Sequence, residues 1–275
     1  MKTLFLSLWL SFVCGLAHAQ ERVVVIGGSL TEIVYALGAG ERVVGVDETS
    51  LYPPPTEALP HVGIWKQLSV ESVLSLRPTL LITWQDAEPR QALDTLAGLG
   101  VRVVTLPRTP ATPDRLLENI RTVAEALALR PRGEALAADI EQRLAQVAQR
   151  IATVKTPVRV LFLLAPGGGS AQVAGTESVA DGILRLAGGH NVASQKQYAS
   201  WGGEAMIAAD PQVIVVTQQS PQTAALDSLP GIRHTSAWRN GRIVSIDQAL
   251  ILGMGPRVAD AVEQLNQRFY PTFRD

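Results

Sequence analysis

The sequence predicts an α/β protein of two lobes, each built on a mostly parallel central sheet, joined by one long rigid helix with a ligand cleft between them. Three observations carry that expectation. Continuous apolar, β-branched runs alternate with helical patterns in both halves, as parallel strands covered on both faces require. One amphipathic stretch of more than twenty residues separates the halves. The halves also echo each other at an offset of 133 positions: Glu71, Pro78 and the run 80–83 recur as Glu204, Pro211 and the run 213–217.

The elements follow in order. Val23 to Ile26 is a short buried strand closed by Gly27 and Gly28. Ser29 with Glu32 three residues on reads as a capping box, opening a helix that runs to the Gly38-Ala39-Gly40 stop. Val43 to Val46 is a second strand. Ser69 opens a helix over 70–76, ended near Pro78, and 80–84 is a third strand. A helix over 89–99 and a strand over 101–106 complete the first lobe's alternation. Thr112 and Pro113 start a helix as N-cap and first-position proline. From Glu134 to about Val154, apolar residues at 136, 140, 144, 147 and 151 keep one face of a single helix. The alternation then restarts with strands at 158–164, 213–217 and 242–246 and helices at 178–186 and 256–268. The expected organisation is a Rossmann-like lobe over 20–131, an inter-lobe helix over 132–155 and a second Rossmann-like lobe over 156–275.

Residues 1–19 read as a secretory signal. Lys2 supplies the positive start, 4–16 is an apolar stretch too short to span a bilayer, and Ala17-His18-Ala19 is the cleavage motif. Val13 before Cys14 argues against a lipoprotein. Cleavage after Ala19 removes the only cysteine, which excludes disulfide and thiolate chemistry from the mature chain and points to the periplasm. A formal net charge of −1 without a basic cluster argues against nucleic acid as a partner.

Catalytic signatures are weak. Gly27-Gly28-Ser29 and Gly167-Gly168-Gly169 follow strands, but no G-x-G-x-x-G, Gly-Lys-Ser/Thr or G-x-S-x-G is present. His61, His190 and His234 are isolated from one another, which disfavours a zinc site. An exported, two-lobed chain with sparse catalytic chemistry reads as a carrier that closes on a ligand rather than an enzyme. In open α/β sheets ligands sit beyond the carboxyl ends of strands. The loops there carry Ser29, Tyr52 and Trp84. Tyr52 precedes three prolines, so a stiff, polyproline-like turn should hold it outside the core.

The chain resembles periplasmic binding proteins of ABC importers, in the class with a rigid inter-lobe helix that serves vitamin B12, siderophores and haem. The resemblance covers 20–275 and rests on Ser-Leu-Thr-Glu-Ile at 29–33, Val-Gly-Val-Asp at 44–47, Leu-Ser-Val-Glu at 68–71, 76–82 and 209–215. Thr49-Ser50-Leu51-Tyr52-Pro53, Pro60-His61-Val62-Gly63 and 252–257 are similar to the haem-binding branch. That resemblance implies Tyr52 as axial ligand to haem iron. A hard phenolate oxygen suits Fe(III), and a bound cation acidifies its ligand. Lys66, Arg90 and Arg257 are candidate partners of the phenolate or the haem propionates; Ser29, Trp65, Trp84, Tyr198 and Met254 are candidate cleft contacts. The resemblance also implies docking of Glu32 and Glu204, one per lobe, on an inner-membrane ABC permease dimer with its ATPase. The loop 165–170 has no histidine to hold a second haem, so one haem b (hemin) per monomeric chain is expected. A cobalamin or ferric-siderophore carrier of the same class is the alternative.

Overall fold

The structure is a computed structural model that describes residues 21–167, 170–217 and 226–271. The expected signal, 1–19, and Gly168-Gly169 of the glycine-rich loop lie outside the described residues. The first sheet has four parallel strands in the order β2-β1-β3-β4: β1 (Val23–Val25), β2 (Val43–Val46), β3 (Leu80–Trp84) and β4 (Arg102–Leu106). Every residue of β1 and β3 is buried, as the unbroken apolar runs demand. The helices α1 (Gly28–Ala36), α2 (Val70–Ser75), α3 (Arg90–Gly98) and α4 (Pro113–Ala126) cover the sheet. Ser69 caps α2 by accepting from the Ser72 N–H at 3.2 Å, and Thr112 caps α4 by accepting from the Arg115 N–H at 3.3 Å.

The capping box expected at Ser29 and Glu32 does not form. The N-cap lies two residues earlier than expected, at Gly27, with no side-chain cap of its own. The orphan N–H of Gly28 donates instead to Thr49 Oγ1 at 2.9 Å, so the following loop does the capping. Gly27 has φ +130°, and a Cβ there would lie 2.4 Å from Trp84 Nε1. Glycine lets the indole at the end of β3 pack under the start of α1.

The long helix α5 spans Arg130–Ile151, 22 residues, starting four residues before the expected Glu134 and ending three before Val154. Pro131 is tolerated because it stands in the first turn. At 1.5 Å per residue this helix is about 33 Å long. It packs on α4 at one side, where Gly133 lies against Ala124. At the other, Arg143 bonds Asp260 at 2.6 Å and Glu263 at 2.7 and 2.9 Å.

The second sheet runs β10-β9-β5-β6-β8, with β7 also pairing β5: β5 (Val158–Gly167), β6 (Ser170–Ala174), β7 (Gly189–Asn191), β8 (Tyr198–Trp201), β9 (Val213–Thr217) and β10 (Ile243–Ile246). β7, β9 and β10 run parallel to this path, whereas β6 and β8 join antiparallel, which makes the sheet mixed. Its helices are α6 (Val179–Leu186), α7 (Gly203–Ala209), α8 (Ser236–Arg239), α9 (Gln248–Leu252) and α10 (Val258–Phe269). One buried apolar cluster runs from β1 and β3 through Ile120, Ile140 and Val147 of α4 and α5 to Val215, Leu265 and Phe269. The two sheets therefore share a continuous core through α5. Among the described residues, no helix is long and apolar enough to cross a membrane.

Candidate ligand-binding site

A cavity of about 360 Å³ opens beyond the carboxyl ends of the first sheet's strands. Gly28, Ser29, Thr49, Leu51, Trp65, Trp84, Arg108 and Arg115 line it from the first half, and Val179, Gln248, Leu252 and Met254 from the second. Its volume falls at the lower end of small-molecule sites, and aromatic and aliphatic side chains dominate the wall. Of the candidate cleft contacts, Ser29, Trp65, Trp84 and Met254 line this cavity.

The loop after β2 is braced from within. Asp47, fully buried, accepts from Thr49 Oγ1 and Ser50 Oγ, each at 2.7 Å. Ser50 Oγ also meets Thr31 Oγ1 of α1 at 2.8 Å. Thr56 Oγ1 donates to the carbonyls of Ser50 and Pro53 at 2.9 and 2.8 Å. The prolines do not extend as polyproline: Pro54–Ala58 is a short 3-10 helix, whose φ a proline ring also satisfies. The brace leaves Tyr52 at the tip, 39 % exposed, beside the cavity residue Leu51.

Arg257 comes from the other half and lies over the Tyr52 ring, its guanidinium carbon 3.5 Å from the centroid. Its Nε and Nη2 donate to the two carboxylate oxygens of Glu32 at 2.9 and 2.7 Å. That bidentate fork ties the two lobes together beside the cavity. Burial pulls the Arg257 guanidinium down, but its bonds to Glu32 outweigh burial and leave it raised, firmly charged. Burial pushes the Glu32 carboxyl above its ordinary value, with Arg257 pulling the other way. Arg257, a candidate partner of the phenolate or of a propionate, bonds Glu32 in this structure. The donors face Glu32, and the guanidinium face meets the ring.

Glu32 is only 7 % exposed and spent on Arg257, so it presents no free carboxylate for docking. Glu204 is exposed in the first turn of α7, as docking requires. Lys66 sits over the Trp65 ring at 5.1 Å without lining the cavity. Arg90 is exposed at the start of α3, away from the cavity wall. Tyr198 packs from β8 against the core and does not line the cavity; burial pushes its phenol up to about 12, so it stays neutral. The residues that sequence reasoning missed are Arg108 and Arg115. Arg108 lies in a loop between Pro107 and Pro110, and Arg115 in a helix's first turn, where a cation is not expected.

Glu32→Ala would leave Arg257 with neither its partner nor full solvent. Breaking a buried pair costs roughly 3–5 kcal/mol. Arg257 retains 20 % side-chain exposure, so about 2–4 kcal/mol is expected here. Chemical denaturation should show that loss, with Glu204→Ala, an exposed acid, as a control that changes little.

Two lobes on a rigid helix, with an apolar cavity between them, define a solute-binding protein. Among the described residues no group of three or more His, Cys, Asp or Glu side chains is placed to hold a metal. The chain belongs to the periplasmic binding protein family, whose model matches residues 23–250. Within it, the chain falls in the haem, vitamin B12 and siderophore class. It is 37 % identical to the apo form of the periplasmic heme-binding protein RhuT from Roseiflexus sp. RS-1, covering 93 % of this chain and all of that one, with a TM-score of 0.85. It is 36 % identical to the periplasmic heme-binding protein BhuT in complex with two hemes, over 92 % and 99 % of the chains, with a TM-score of 0.84. It is also 25 % identical to the vitamin B12-binding protein of Photorhabdus laumondii, over 96 % of this chain and 92 % of that protein. Family members are non-enzymatic transport components that work in the periplasm with ABC permeases.

Proposed function

We propose that this chain captures haem, as hemin, between its lobes and delivers it to an inner-membrane ABC permease dimer with its ATPase. Tyr52 is the axial ligand to the iron. The observation that carries this reading is the exposed Tyr52 on a braced loop, next in sequence to the cavity residue Leu51 and itself outside the cavity wall. Haem-binding relatives at 36–37 % identity support the same ligand. A cavity lined by apolar and aromatic residues suits a flat apolar macrocycle.

A hemin titration followed by absorption tests it. A high-spin ferric tyrosinate spectrum is expected, with a break at one equivalent per chain, since the glycine-rich loop 165–170 carries no histidine or other iron ligand. BhuT, by contrast, is described with two hemes. A clean break at two would show a second site in this chain as well. The second reading, cobalamin carriage, is favoured by the B12-binding relatives. Saturable binding of cobalamin with no hemin spectrum would establish it instead.

Docking on the permease falls to Glu71 and Glu204 in place of Glu32. Both are exposed acids in the first turn of a short helix. α2 and α7 are related by the internal echo, and each leads to a left-handed residue, Arg77 at φ 47° and Asp210 at φ 33°, just before a proline and a parallel strand. The echo places one acid on each half, as a two-fold permease would grip them.

A further inference from the structure

We propose that Arg108 and Arg115 form a carboxylate-binding subsite in the cavity wall, which selects a tetrapyrrole bearing free carboxylates over one whose side chains are amides. The inference rests on the tetrapyrrole reading above and names which part of that ligand the wall recognises.

Both arginines line the cavity. Among the described residues, each guanidinium is held at one nitrogen. Arg108 Nη2 donates to Asp86 at 2.7 Å, and Arg115 Nη1 donates to Glu118. The Nε of each is buried and has no acceptor among the described residues. A guanidinium carries several N–H donors in a rigid fork and cannot shed its proton. A buried donor without an acceptor is a standing cost that an incoming anion would relieve once the side chain turns the donor toward the cavity. Trp65 fixes Arg108 by holding its guanidinium over the indole, 4.5 Å from the centroid.

The surroundings favour an anion. Thr112 also lines the cavity and is the N-cap of α4, a 14-residue helix whose N-terminal field attracts negative charge. Asp86 and Glu118, which hold the outer nitrogens, do not line the cavity. Of the acids that do, Glu32 is spent on Arg257, and Glu48 stands beside His61 Nδ1 at 3.5 Å. The wall around Arg108 and Arg115 thus combines two guanidiniums, each with one nitrogen bonded to a carboxylate outside the wall, a helix N-terminus and an aromatic platform. Haem carries two carboxylates on one edge of its ring, whereas the peripheral groups of cobalamin are neutral amides.

The test compares hemin with hemin dimethyl ester on the mature chain, by absorption titration. The wild-type protein should prefer hemin by about 10- to 100-fold, the scale of hydrogen bonds to charged groups. That comparison needs no variant and is independent of any folding defect. In the Arg108→Gln/Arg115→Gln double variant the preference should fall to near unity. Arg115→Lys should retain part of it. Equal affinity of the wild-type protein for acid and ester would overturn the subsite while leaving haem carriage standing. So would a double variant that keeps the full preference. Failure of both ligands to bind the wild-type protein would sink the haem reading and the subsite with it.

Discussion

Replacing Tyr52 with alanine is expected to abolish the ferric tyrosinate spectrum and to weaken hemin binding by about 100-fold or more. Loss of a residue that merely orients a metal ligand typically costs about 10–100-fold, and here the ligand itself would go. A phenolate is a hard oxygen donor that holds ferric iron. The substitution should leave the fold intact, because Tyr52 is exposed and its loop is braced by Asp47, Ser50 and Thr56. A Tyr52→Ala protein that keeps the wild-type spectrum would remove Tyr52 from the iron. Tyr52→Phe serves as the sharper control, since it keeps the ring under Arg257 and deletes only the oxygen.

Strands and helices were legible where one physical demand dominated. β1, β3 and β9 are buried along their whole length and read as unbroken apolar runs. α5 declared itself by sustained periodicity. β6, β7 and β8 gave no such signal, because they are short pieces of three to five residues whose sequences mix polar and small side chains. Trp84 could be placed near the cavity because it ends β3, and Tyr52 on an exposed loop because it lies beyond β2 and before three prolines. The partnership of Glu32 with Arg257 was not, because it joins residues 225 positions apart across two lobes. The local pattern at Ser29 and Glu32 even pointed elsewhere, to a capping box. A tertiary bond from the Gly28 N–H to Thr49 Oγ1 took over the capping, and Glu32 was left to bridge the lobes. Arg108 and Arg115 gained their meaning only once the cavity placed them on one wall.

Reversing both exposed acids, Glu71→Arg with Glu204→Arg, is expected to stop delivery of haem while leaving its capture intact. If each acid meets an arginine of the permease, each contact is a charge-assisted pair, and truncating one partner at a desolvated interface costs about 2–5 kcal/mol. Reversal adds like-charge repulsion to that loss. Two such contacts removed together would weaken docking by several powers of ten, since about 1.4 kcal/mol is a factor of ten. Neither acid lines the cavity, so hemin titration should be that of the wild-type protein. Both stand in exposed first turns, so stability should change little beyond the helix-terminus term of about 0.3–1 kcal/mol each. Glu32→Gln provides the contrast. It should disturb the Arg257 bridge and the fold's stability, because its carboxylate is buried between the lobes rather than offered to a partner. Transport is read in vesicles carrying the reconstituted permease, with loaded protein added outside. Wild-type delivery by the Glu71→Arg/Glu204→Arg protein would show that these acids serve only their own helices. Lost hemin binding in that protein would show instead that the two helices shape the cavity.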